Sequence, residues 1–225
     1  MPRETLDHQI HQLQDEILLI GSMVEQAMID SIDALRRRDI NDSKKVYHTD
    51  YLINEKRFAI ENGILILIAT QQPIAHDLRL LTAMLEVTTE LERMGDYAKG
   101  IAKINIKLAG SDINLPMVEI DRMAELGISM LHRSLTAFID ENPNQASLIP
   151  LEDDEVDSLY VQIYNKVVKD MIANPQEIDS SNLILWIAHN LERMADRVTN
   201  ICERTVFIAT GELLELDSTD DEDSE

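Results

Sequence analysis

The chain has 225 residues, 44% of them apolar, and carries a formal net charge of −22. That length allows a substantial core, while only 4% aromatics and 7 glycines suit packed aliphatic helices better than a β-sandwich. So acidic a field repels duplex DNA and anionic lipid and attracts cations or basic partners, and with no nucleic-acid module apparent, nucleic-acid binding is set aside.

Residues 5–38 form the first predicted helix, with Leu6, Ile10, Leu13, Ile17, Ile20, Val24, Ala27 and Ile32 close to the 3.6 period. Arg36, Arg37 and Arg38 complement the dipole of its last turn. Asn41-Asp42-Ser43 reads as the cap of a second helix running to about Thr70. Within it, residues 64–68 are an unbroken aliphatic run that could pass for a buried strand; length and helical flanks decide for helix. Gln71-Gln72-Pro73 breaks the pattern, a third helix extends to about Leu108, and residues 109–116 read as a linker. Three more helices follow over about 116–140, 151–173 and 180–214, separated by Asn142-Pro143-Asn144 and Asn174-Pro175. The last segment, 215–225, has seven acids and no base, so it is expected to be a disordered tail.

The chain reads as one unit used twice. Leu91-Glu92-Arg93-Met94-Gly95-Asp96 returns one hundred residues later as Leu191-Glu192-Arg193-Met194-Ala195-Asp196. Ser31, Ala34 and Leu35 match Ser134, Ala137 and Phe138, and Asp50, Ile53 and Asn54 match Asp153, Val156 and Asp157, both at an offset of 103. Pro73 corresponds to Pro175. The expected architecture is all-α: two tandem, pseudo-symmetric three-helix bundles of long antiparallel helices. Residues 1–112 form the first bundle, 113–214 the second, and 215–225 the acidic tail.

Each copy puts two carboxylates four residues apart on one helix face, where they can share a cation. In an antiparallel hairpin, residues equally distant from the turn lie level, at about 1.5 Å of rise each. Counted from a turn near Gln72, Asp50 and Asn54 lie 22 and 18 residues before it, and Glu92 and Asp96 lie 20 and 24 after it. Counted from Gln176, Asp153 and Asp157 lie 23 and 19 before, and Glu192 and Asp196 lie 16 and 20 after. Each bundle is thus expected to gather three or four oxygen ligands, a donor set for magnesium, manganese, calcium or iron. The competing reading is ordinary salt bridging of these acids by Arg93 and Arg193. Asn54 removes one charge from the first set, and His189 stands three residues before Glu192 in the second, so the second set is expected to hold a metal more tightly.

The remaining conspicuous residues carry no chemistry. Trp186 is expected in the core and Cys202 as a small buried hydrophobe. His8 and His11 lack a second ligand pair. No phosphate loop, Ser/His/Asp arrangement or Glu-x-x-His di-iron motif is visible, so the chain is not expected to be an enzyme. The lone cysteine suits a reducing compartment. With neither a leader pattern nor a bilayer-length apolar run, a cytoplasmic location without membrane insertion is expected.

With both motifs in hand, the chain resembles the PhoU family of phosphate-signalling proteins. The likeness rests on residues 91–98 and 191–198, on Asp50-x-x-Ile53-Asn54 and Asp153-x-x-Val156-Asp157, and on Gln72-Pro73-x-Ala75-x-Asp77-Leu78-Arg79. The resemblance implies metal ions held at paired E(D)xxxD motifs: Glu92 and Asp96 with Asp50 and Asn54, Glu192 and Asp196 with Asp153 and Asp157. Iron is known in the family; manganese, magnesium or zinc are alternatives, in the divalent or trivalent state. It further implies a negative regulator linking the ATPase subunit of the phosphate ABC transporter to a sensor histidine kinase, acting as a homodimer. Asn54 departs from the all-carboxylate pattern. A metal-free helical scaffold ranks second, and a multinuclear metal-dependent phosphoesterase third.

Overall fold

The structure, a computed structural model, describes residues 2–216. Beyond Leu216 the expected disordered tail lies outside the described residues. Seven helices follow in order: α1 (Pro2–Arg37), α2 (Ile40–Gln71), α3 (His76–Lys107), α4 (Met117–Ile139), the single turn α5 (Pro143–Ala146), α6 (Asp153–Ala173) and α7 (Ile178–Thr210). Two 3-10 turns, Pro150–Glu152 and Pro175–Glu177, precede α6 and α7. Among the described residues there is no strand, and no helix is long and apolar enough to cross a membrane.

Helices α1, α2 and α3 pack mutually, as do α4, α6 and α7. The two bundles meet through α3 against α7 and α1 against α4, so each helix at the junction faces its own sequence counterpart. Gly21 permits the α1–α4 approach: a Cβ there would stand 2.3 Å from Leu135 Cδ1. The buried apolar residues from Leu6 to Ile208, apart from Ala34, Val46 and Ala102, form one continuous cluster rather than two.

The repeat is visible in backbone detail. Arg38 and Glu141, 103 residues apart, both adopt positive φ (55° and 48°). Each is followed by a side-chain cap: Asp39 accepts from the amides of Asn41 and Asp42, and Asn142 from that of Gln145. The amides of Asp39 and Asn142 each donate at 2.8 Å to the carbonyls of Ala34 and Ala137. Buried Ser31 and Ser134 each donate at 2.8 Å to the carbonyl three residues earlier. The α2 cap is therefore Asp39, not the Asn41-Asp42-Ser43 cluster, because the left-handed Arg38 reverses the chain within two residues.

The halves then diverge. Where α2 runs unbroken, the second half has α5, a 3-10 turn and the shorter α6. Pro143 and Pro150 both stand at first positions of their turns, where a missing amide costs nothing. Helix α7 ends at Thr210 instead of Leu214 because Gly211 takes φ 81° and its amide closes on Phe207 O at 2.8 Å. The 64–68 segment is helical; Ile64 and Leu67 are buried while Leu65 and Ile66 face outward.

Candidate functional site

In the first bundle, Asp50 and Ile53 are buried on α2 against α3. Gly95 makes that approach possible: a Cβ there would lie 2.9 Å from Ile53 Cδ1 and 3.8 Å from Asp50 Oδ1. Lys99, one turn beyond, donates to Asp50 Oδ2 at 2.7 Å and reaches Asp96 Oδ1 at 3.4 Å. The Asn54 amide nitrogen also donates to Asp50 Oδ2, at 3.4 Å. Burial pushes the Glu92 carboxyl above the usual range; Arg57 opposes this, and the charges of Asp96 and Asp50 add to it. Asp50 thus touches Asn54 and is linked through Lys99 to Asp96, and Glu92 feels the charges of both acids.

The second bundle brings Asp157, Glu192 and Asp196 within electrostatic reach of one another. Burial first, then the Asp196 charge, pushes Glu192 up to about 7; Asp157 adds to the rise, while Arg193 and Arg197 oppose it. Glu192 Oε2 is buried without a hydrogen bond. His189 Nδ1 stands 3.3 Å from it, close enough for an ion pair but without the alignment of a hydrogen bond. Arg193 Nη1 donates to Asp196 Oδ2 at 2.6 Å. Asp153 is the buried first residue of α6, where a carboxylate also complements the helix dipole. Asp157 follows one turn later on the same face.

Among the described residues, no three His, Cys, Asp or Glu side chains converge at metal-ligand geometry. The two clusters nevertheless differ in what they could accept. The second offers oxygen donors, including a buried Glu192 oxygen that lacks a hydrogen bond and a carboxyl whose charge its neighbours resist. A hard cation suits that set. The first has an ammonium between Asp50 and Asp96 and does not fit a metal in this form.

The salt-bridge reading of the arginines holds for half of its cases. Arg193 pairs with Asp196, whereas Arg93 turns to Glu90 at 2.9 Å. Glu90 also accepts from Arg197 across the bundle junction at 3.4 Å, and Arg193 reaches Tyr97 of α3. Sequence reasoning missed this network and missed Lys99; the signal for Lys99 was its alignment with Thr199 at the offset of the doubled motif. Trp186, expected in the core, is 52% exposed. The buried stripe of α7 runs through Ile184, Ile187, Ala188, Leu191, Met194 and Ala195, and residue 186 falls off it; its indole packs edge-on against His189. Cys202 is buried as expected, and burial pushes its thiol up to about 12, which silences it as a nucleophile.

Comparison with known proteins bears on the whole chain. The PhoU domain matches it twice, over residues 17–104 and 120–205. A phosphate-specific transport system accessory protein PhoU homolog from Clostridium acetobutylicum is 35% identical over 217 residues, covering 96% of this chain and 99% of its own. The accessory protein PhoU of Escherichia coli K12 is 30% identical, covering 91% of this chain and 85% of its own. The crystal structure of the phosphate transport system regulatory protein PhoU from Streptococcus pneumoniae superposes with a TM-score of 0.86 at 30% identity, over 93% of this chain and 99% of that one. PhoU from Pseudomonas aeruginosa gives 0.87 at 26% identity, over 92% and 99%. With both of its repeats matched and near-complete relatives at this identity, the chain belongs to the PhoU family.

Proposed function

We propose that this chain is a non-catalytic, cytoplasmic regulator of phosphate uptake: a homodimeric adaptor linking a phosphate ABC transporter's ATPase subunit to a sensor histidine kinase and holding that kinase's output down when phosphate is plentiful. The observation that carries the reading is the double PhoU-domain match spanning both bundles, together with relatives named as transport-system accessory proteins. Surface chemistry supports it. The outward faces of α2 and α6 expose Tyr51, Phe58, Leu65 and Ile66, and Val161, Tyr164 and Ile172, apolar groups outside the core that suit partner contact.

We further infer that Asp153, Asp157, Glu192 and Asp196 hold a divalent or trivalent ion, with His189 beside them. When bound, such an ion neutralises the clustered carboxylates and ties α6 to α7. Without it, burial and the neighbouring acids push the Glu192 carboxyl up to about 7, and Arg193 restrains Asp196. The metal-free scaffold reading draws on the same Arg193–Asp196 pair.

Affinity capture of the chain from phosphate-replete cells, with and without chelator, tests the adaptor. Recovery of the transporter ATPase and the kinase is expected, and recovery of neither overturns it. Turnover of generic phosphoesters by manganese-loaded protein would overturn the non-catalytic reading.

A further inference from the structure

The two acid clusters occupy equivalent places in the repeat, yet the first has one acid fewer, Asn54 against Asp157, and a lysine, Lys99, where the second has Thr199. The two changes act in the same direction and on the same few ångströms. Lys99 Nζ lies 2.7 Å from Asp50 Oδ2 and 3.4 Å from Asp96 Oδ1, the gap that an ion shared by α2 and α3 would occupy. Its third side faces the Tyr47 ring, 5.7 Å from the centroid, a distance at which an aromatic face still attracts an ammonium. Asn54 presents its amide nitrogen to Asp50, so it acts there as a donor.

We propose that Lys99 is a built-in cation that takes the place of metal in the first bundle, so that the chain loads divalent ions through its second bundle alone. Asp50 is 6% exposed, and a buried carboxylate requires a positive partner. Lys99 supplies one covalently. An entering divalent ion must therefore break an established ion pair before gaining its own contacts, and it meets fewer opposing charges when it arrives. In the second bundle the equivalent position holds Thr199, a short neutral side chain, so no lysine stands there to oppose an entering cation. The physical consequence is a division of labour. The angle between α2 and α3 is fixed at all metal concentrations, while that between α6 and α7 responds to the ion.

This inference rests on the reading of Asp153, Asp157, Glu192 and Asp196 as a metal site, and its test separates the two. Full-length wild type, N54D/K99T, D196N and the triple variant N54D/K99T/D196N are dialysed against Mn²⁺, and bound manganese per chain is measured by elemental analysis. Helix content by circular dichroism verifies folding, and melting is followed with and without Mn²⁺. N54D/K99T gives the first cluster the four acids of the second and removes its lysine, so its manganese capacity should be about twice that of wild type. The triple variant should keep the gained half, and the melting temperature of N54D/K99T without metal should fall and recover with Mn²⁺. Wild type that binds no manganese while N54D/K99T gains some sinks the second-bundle site but supports the role of Lys99. Wild type whose manganese is lost in D196N, with no gain in N54D/K99T, supports the second-bundle site and overturns the role of Lys99. Manganese that survives D196N in wild type and is lost on Asp50→Asn overturns it as well.

Discussion

Glu192 is the residue whose charge is most contested. A carboxyl near 4.5 in the unfolded chain and near 7 in the folded one means that the folded state binds more protons between those values. Unfolding stability from this group is therefore fully present below about pH 4.5 and is lost as pH rises through 7. Chelator-treated Glu192→Gln should flatten that part of the pH profile and exceed wild type at pH 8 by about 1–2 kcal/mol, after allowance for solvent screening. Urea titrations of both proteins at pH 5 and pH 8 measure it, and parallel profiles would show that Glu192 ionises freely. Cys202 makes the opposite kind of prediction. Its thiol, buried and pushed up to about 12, should resist maleimide in native protein at pH 8 and react fully in urea; native labelling at the urea rate would contradict the burial. The acids were legible in sequence because repetition singled out six letters from a sea of carboxylates. Lys99 was not, since a lysine on an acidic helix looks like a solvated face until Asp50 is seen buried beneath it. Trp186 lies outside the core because its place on α7 falls beyond the edge of the buried stripe.

Helices were legible from apolar period and breakers, but their ends depended on chemistry the period does not carry. Asp39 is the clearest case. It accepts the amides of Asn41 at 2.8 Å and Asp42 at 3.0 Å, while its own carbonyl accepts from Asn105 of α3 at 3.4 Å. Asp39→Ala removes the cap and should cost about 1 kcal/mol, whereas Asp42→Ala, at the residue that sequence had placed in the cap, should cost distinctly less; equal losses would return the cap to the later cluster. Asn105 deserves its own measurement. Its amide also donates to Ala34 O at 3.0 Å and Ser43 Oγ at 2.8 Å, tying the end of α3 to the α1–α2 turn. Asn105→Ala removes that clamp, while Ala34 O keeps the Asp39 amide and Asp39 O the Ser43 amide, so a loss of about 0.5–1.5 kcal/mol in unfolding free energy, measured by urea titration, is expected. No periodicity points to such a clamp, because its partners, two carbonyls and the Ser43 hydroxyl, are brought near by the turn itself.

At the scale of the molecule, the bundles were legible as separate units and proved to share a core. What crosses between them is partly apolar and partly ionic, and the ionic part is testable. Arg197 of α7 and Glu90 of α3 are 15% and 12% exposed and stand 3.4 Å apart. Arg197 Nε already lacks a hydrogen bond, so Glu90 holds much of its compensation. Arg93 shares Glu90 but is 50% exposed and can turn to water when Glu90 is removed. Glu90→Ala should therefore cost about 1–3 kcal/mol, below the 3–5 of a fully buried pair because water still reaches the site. Arg197→Met removes the stranded charge and keeps the stem packed. In the Glu90→Ala background it should regain at least half of the loss, a coupling that a double-mutant cycle in urea measures. Additive losses would mean that the charges across the junction are incidental. Each variant should still unfold in one transition, coincident by circular dichroism and Trp186 fluorescence, because the continuous core makes neither bundle complete alone. Two transitions in wild type would instead make the junction a docking surface between independently folded halves.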